Sequence, residues 1–271
     1  IFLFMHGGVS QVDTFDYRPA LQRDTGKPYP GKKPRIVSSA TGNLVASPYS
    51  FKQYGQCGQW ASDIFPHIAS MSDELCFIKS MYGSNSRHGS ALLELHTGSD
   101  TFIRPSMGSW LNYGLGFENQ NLPGYVVMTE LALPQGGSRN WSNGFLPGQF
   151  QGTRLRSSGS PILDLHAPVH KTLEHQRQAL GELTFLNQRH AGKHPEHKNL
   201  AARMASYELA YRMQVAAPEA FDIGRETKQT QEAYGLNRQE SKDYGRQCLI
   251  ARRLIERGVR FVQVFADVAK T

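Results

Sequence analysis

The apolar positions of this chain fall in short contiguous runs separated by long polar stretches, and the runs differ in period. Ile1-Phe2-Leu3-Phe4-Met5 is unbroken and ends at once on His6-Gly7-Gly8. A run without alternation predicts a strand buried on both faces, inside a mainly parallel sheet and closed by a tight loop. Tyr125-Val126-Val127-Met128, entered from Asn121-Leu122-Pro123, and Val259–Phe265 predict two further buried strands; Leu75-Cys76-Phe77-Ile78 predicts another. Elsewhere the period lengthens to that of a helix. Trp60, Ile64, Ile68 and Met71 fit a short amphipathic helix over 60–72. A second runs from about His88 to His96 and ends at Thr97-Gly98, where glycine supplies a left-handed cap. Leu173, Leu180, Leu183 and Leu186 mark one long helix, and Leu200, Met204, Tyr207, Tyr211 and Val215 another; Pro195 between them predicts a helical hairpin. Tyr244, Cys248, Ala251 and Ile255 mark a last helix, closed by Gly258.

Strands alternating with helices predict an α/β sandwich: a mostly parallel sheet flanked by helices, as a single domain over 1–271 with a helical insertion at about 170–245. Residues 17–60 and 135–161, rich in Pro, Gly and Ser, read as long ordered loops. Ligands of parallel sheets gather outside the carboxyl ends of the strands. The loop from His6 to Asp16 therefore lies where chemistry is expected.

Composition narrows the classes. With 271 residues, 39% of them hydrophobic and 20% charged, the chain is neither a disordered polymer nor a collagen. Thirty Lys and Arg against 23 Asp and Glu leave a net charge of +7, but the basic residues are scattered. Scattered charge suits an anionic substrate better than nucleic acid, which asks for a clustered basic face. Cys57, Cys76 and Cys248 are odd in number and lack CxxC spacing, which predicts buried thiols rather than a zinc ribbon or disulfide framework. No apolar stretch reaches the roughly 18 residues of a membrane span.

Three places can carry chemistry. Asp13, just past the first strand on a glycine loop, is the preferred ligand of a divalent metal; Asp16 is a second metal candidate and can equally serve a turn or a helix cap. Ser84-Asn85-Ser86-Arg87-His88-Gly89-Ser90 opens a helix, whose free N–H groups and positive dipole end suit a phosphate or sulfate, with Arg87 adding charge. The plainer reading is that Ser86 caps the helix. His190, His194 and His197 have metal-ligand spacing but sit at the expected hairpin bend and read as a solvated turn. Asn140-Trp141-Ser142 fits a glycosylation sequon of the kind that arises by chance.

Several longer blocks resemble a known family. FLFMHGGVSQVDTFD (Phe2–Asp16), Lys79-Ser80-Met81, His88 to Gly98, RPSMGSWLNYGLGFENQNLPGYVV (Arg104–Val127), YELAYRMQ (Tyr207–Gln214) and ARRLIERGVRFVQV (Ala251–Val264) together resemble the DUF1501 family of sulfatase-like proteins over nearly the whole chain. The resemblance implies an alkaline-phosphatase-like α/β core, a divalent metal (Zn, Ca, Mg or Mn), hydrolysis of phosphate or sulfate esters on small molecules or glycans, and export, often behind a twin-arginine signal. It departs at two points. Sulfatases place a Cys or Ser nucleophile nine positions before the Thr of their motif; here that position is His88, with Ser90 where a Pro would stand. His88 then attacks, moves a proton or binds metal, with Ser86 or Ser90 as the alternative nucleophile. The family also continues past the last strand into further Asp, His and Glu residues, whereas this sequence stops after Asp267-Val268-Ala269-Lys270-Thr271 and so reads as the N-terminal part of a longer protein with its C-terminal part missing. The competing reading is a non-catalytic member that binds anionic polysaccharide or a partner protein.

Overall fold

A computed structural model describes residues 1–31, 42–129, 133–156, 162, 172–194 and 200–266. In chain order, strand β1 (Phe2–Met5) is followed by the short helices α1 (Gln11–Thr14) and α2 (Pro19–Asp24), strands β2 (Phe51–Tyr54) and β3 (Gln59–Ser62), and helix α3 (Pro66–Ser70). Then come α4 (His88–Thr97), α5 (Met107–Leu115), β4 (Tyr125–Thr129), β5 (Thr153–Leu155), α6 (Leu173–Lys193), α7 (Leu200–Phe221), α8 (Lys228–Ala233), α9 (Lys242–Glu256) and β6 (Phe261–Ala266). The chain divides into two compact units, one of Ile1–His6 with everything from Arg87 onward, the other of Gly7–Ser86.

The first unit is built on a four-stranded sheet of order β1-β6-β4-β5, parallel at every described pairing. All five residues of β4 are buried, as its unbroken apolar run requires, because both faces of the sheet are covered. On one face Val126, Met128, Val262 and Val264 pack with Met213 and Ala217 of α7 and with Ile250 and Leu254 of α9. On the other, Tyr125, Val127, Phe261 and Phe265 pack with Leu92 of α4 and with Trp141. Each such side chain contributes about 1.5–3 kcal/mol by leaving water. Helix α5 approaches the sheet through Gly108, where a Cβ would stand 2.6 Å from the rings of Phe261 and Tyr125. Helices α6 and α7 pack together as the hairpin reading expects; Pro195 and His197 lie outside the described residues. The end of α7 is tied to α9 by buried Arg253, whose guanidinium donates to the carbonyls of Ala220 (3.0 Å) and Glu219 (2.8 Å) and pairs with Glu226. Carbonyls in the last turn of a helix lack the usual helical partner, and Arg253 caps these two.

β1 corrects the expectation of an interior strand. Among the described residues it pairs with β6 alone, so it is an edge strand. Phe2 and Phe4 pack inward, while Ile1 and Leu3 are 55% and 49% exposed. A contiguous apolar run reports the residues' character but not whether anything covers the second face.

The Gly7–Ser86 unit holds the antiparallel pair β2–β3, with Phe51 opposite Ser62 and Tyr54 opposite Gln59. The Asp73 carboxylate pins its turn by accepting the N–H groups of Gln56 and Cys57, each at 2.9 Å. Tyr17 lies against Trp60 and Phe51 at ring separations of 4.5 and 5.1 Å, and Phe15 against Phe65 and Phe77. Two expectations fail here. Leu75–Ile78 is not a strand; among the described residues none pairs with it, and Leu75 and Ile78 are exposed. The helix expected over 60–72 shrinks to α3, because Trp60 is held in β3 opposite Gln53 and Pro66 fixes the first helical turn. The cysteines are free thiols, but Cys57 and Cys76 are exposed rather than buried.

Candidate functional site

The sequence candidates divide between the two units. Asp13, Asp16 and Ser86 belong to the Gly7–Ser86 unit, and Arg87 and His88 to the sheet unit.

Asp13 is the third residue of α1, whose N-cap is Ser10. The Ser10 hydroxyl does not cap the backbone; it donates to Asp13 Oδ2 at 2.6 Å, while the Asp13 carbonyl accepts from the Ser62 hydroxyl, also at 2.6 Å. The Ser10 hydroxyl, and after it that of Ser47, holds the Asp13 carboxyl below the usual carboxylate range, because both hydrogen bonds favour the ionised form. Asp16 is paired with the Arg18 guanidinium. Both carboxylates are thus engaged by their own neighbours, and among the described residues no three His, Cys, Asp or Glu side chains are grouped to hold a metal ion. Of the two expected ligands, then, one is hydrogen-bonded by a serine and the other ion-paired with an arginine.

Arg87 and His88 come together at the start of α4. Arg87 is the N-cap, extended at φ −80° and ψ 125°, and its side chain makes no capping bond; the cap expected from Ser86 is therefore not formed. His88 opens the helix and is exposed, and Ser90 is half-buried on the same turn. Gly89 leaves room for Gln135, whose Oε1 would stand 3.6 Å from a Cβ at that position. The dipole's positive end thus lies beside an exposed imidazole and a guanidinium, a combination suited to an oxyanion. The helix ends as the sequence predicts, on Gly98 at φ 74° with its N–H bonded to the Glu94 carbonyl.

The opposite end of α4 carries polar groups that sequence reasoning missed. His96 is 3% exposed, boxed by the rings of Phe2, Phe4 and Phe265 at centroid distances of 5.5, 4.8 and 5.2 Å. Its Nδ1 lies 3.2 Å from the amide nitrogen of buried Gln263, whose oxygen accepts the Tyr125 hydroxyl. That orientation of the Gln263 amide makes Nδ1 the acceptor and puts the imidazole proton on Nε2, which has no hydrogen-bond partner among the described residues. Burial alone pushes the His96 pKa down to about 4, so the ring is neutral. On the other side the Tyr125 hydroxyl meets Ser106, the N-cap of α5, and Ser106 meets Ser109 at 3.0 Å. The one signal for this chain of groups was a Gln inside an otherwise apolar strand. The remaining motifs are structural or set aside: Asn140 is buried, its amide donating to the Gln135 and Gly137 carbonyls, and so offers no glycan acceptor. His190 and His194 stack at 4.4 Å at the end of α6.

Neither a curated protein nor a solved structure matches the chain. A family model does, over residues 1–268, under the description "protein of unknown function (DUF1501)". A match of that extent takes in both units and every candidate residue, and the chain belongs to the DUF1501 family.

Proposed function

We propose that the protein is a hydrolase of phosphate or sulfate esters, small or glycan-borne, built on an alkaline-phosphatase-like α/β core and exported from the cytoplasm. The observation that carries this reading is the first turn of α4, where exposed His88, the N-cap Arg87 and free helix N–H groups stand together. The N–H groups and Arg87 hold the ester's anionic oxygens, and developing negative charge on them is stabilised by the same donors. His88, exposed on that turn, either attacks the central atom or passes a proton between water and the leaving oxygen. The parallel sheet with helices on both faces supports the assignment of the core.

A non-catalytic reading is favoured by a different observation. Asp13 and Asp16, the expected metal ligands, are engaged by Ser10 and Arg18, which leaves an anion-binding helix end without the accompanying metal. On this reading the protein holds anionic polysaccharide or a partner. Assays with aryl phosphate and aryl sulfate, with and without added Zn, Ca, Mg or Mn, separate the two. Turnover lost in His88→Ala with the circular dichroism unchanged supports the hydrolase. Turnover equal in His88→Ala removes His88, and absence of turnover under all conditions leaves the binding reading.

A further inference from the structure

We infer that the cavity between α7 and the N-terminal ends of β4 and β5 is a binding site for a small organic anion, its carboxylate or phosphate against Arg212 and its apolar body against Phe117, Leu122 and Leu209. The cavity has a volume of about 440 Å³, within the usual range of small-ligand sites. It lies entirely in the sheet unit and goes beyond the α4 reading. Tyr125 and Thr153, which begin β4 and β5, line it, so it sits at the strands' N-terminal ends, opposite the crevice where parallel sheets hold substrates.

Arg212 carries the argument. Its Nε is buried without a hydrogen-bond partner, and among the described residues no carboxylate pairs with it. The contrast within the same unit is direct: Arg252, Arg253, Arg257 and Arg260 each meet a carboxylate at hydrogen-bonding range. Among the described residues, no Asp or Glu lines the cavity. Arg212 is half-buried with its Nε shut away from solvent, and an anion entering the cavity gives that Nε an acceptor and the guanidinium a counter-charge. The guanidinium fork fits a planar carboxylate or a phosphate with two parallel hydrogen bonds. The Gln149 amide and the Thr153 hydroxyl, also on the wall, supply neutral donors for the remaining oxygens. The body of the ligand is set by the rest of the lining. Phe117 is stacked on Phe150 at 5.6 Å with the planes 8° apart, which gives a flat apolar wall, and Leu122 and Leu209 complete it. Bare inorganic phosphate satisfies the charge but leaves this wall wet.

Calorimetric titration of the full chain with phenyl phosphate, benzoate, inorganic phosphate and phenol tests the site. Phenyl phosphate or benzoate binds at millimolar concentration or better; phosphate, lacking the ring, and phenol, lacking the charge, bind at least about tenfold more weakly. The preference between the first two identifies the anion as phosphate or carboxylate. Arg212→Met, which keeps the stem and removes the charge, weakens the tight ligand at least about tenfold without lowering the melting temperature. Amide NMR shifts of Gln149 and Thr153 in the unsubstituted chain give a readout independent of whether the variant folds. Phenol binding as well as the anions, unchanged affinity in Arg212→Met, amide shifts confined to other residues, or no binding of either aryl anion at about 10 mM would each overturn the inference.

Discussion

Helix α4 carries two histidines eight positions apart with opposite surroundings. His88 stands in water at the positive end of the helix, and His96 is sealed among three phenylalanine rings with Gln263 at Nδ1. The residue type is the same, and the difference lies in what each ring can do with a proton. His96 is kept neutral by its burial, so it serves as a fixed hydrogen-bond acceptor. His88 is open to solvent, as chemistry on an ester requires. Histidine at helical spacing is therefore no indication of function until its burial is known.

Four measurements sharpen or break this contrast. Phe265→Ala, which opens the box around His96, is expected to cost about 3–5 kcal/mol in denaturant unfolding; a loss below about 1 kcal/mol would show that the box is not packed. Acid is next. The folded pKa of His96 lies below its unfolded value, so above about pH 6.5 both states are neutral and nothing is lost. As pH falls from about 6.5 towards about 4 only the unfolded state takes up the proton, and stability drops by on the order of 3 kcal/mol across that window. His96→Leu should flatten that part of the pH profile, and an equally steep profile in the variant would place the titration elsewhere. Gln263→Leu leaves the Tyr125 hydroxyl and His96 Nδ1 without this partner and should cost about 2 kcal/mol, part of it recovered by adding Tyr125→Phe. Smallest in stability is His88→Ala, within about 0.5 kcal/mol of the parent chain while ester hydrolysis disappears; strong destabilisation would mean that His88 has a structural partner.

Elements set by local chemistry were legible in the sequence, and those set by distant partners were not. β4 and α9 announce themselves through an unbroken apolar run and a helical period, and α4 through its Gly98 cap. β5 is three residues, Thr-Arg-Leu, and becomes a strand only because Val126–Met128 lies alongside it. Leu75–Ile78 shows the converse, a strand-like run with no partner among the described residues. At the candidate site, the place of His88 followed from counting within one helix. The engagement of Asp13 by Ser10 lay three residues away and was readable, but its second partner, Ser47, is far off in sequence. The bareness of Arg212 is a property of everything around it and leaves no local signature.

The order of strands in the sheet has a consequence for how the chain is made. β6, which separates β1 from β4, follows the other described strands in the chain, and its Gln263 lies opposite Phe2. A chain emerging from the ribosome at about 5–20 residues per second therefore carries β1 without its partner for on the order of ten to fifty seconds. During that interval Phe2 and Phe4 have no β6 to shield them, and the sheet cannot assemble from its N-terminal side. Pairing of β1 waits on β6, and a binding partner that shelters β1 until then would raise the yield of native protein without touching the finished structure.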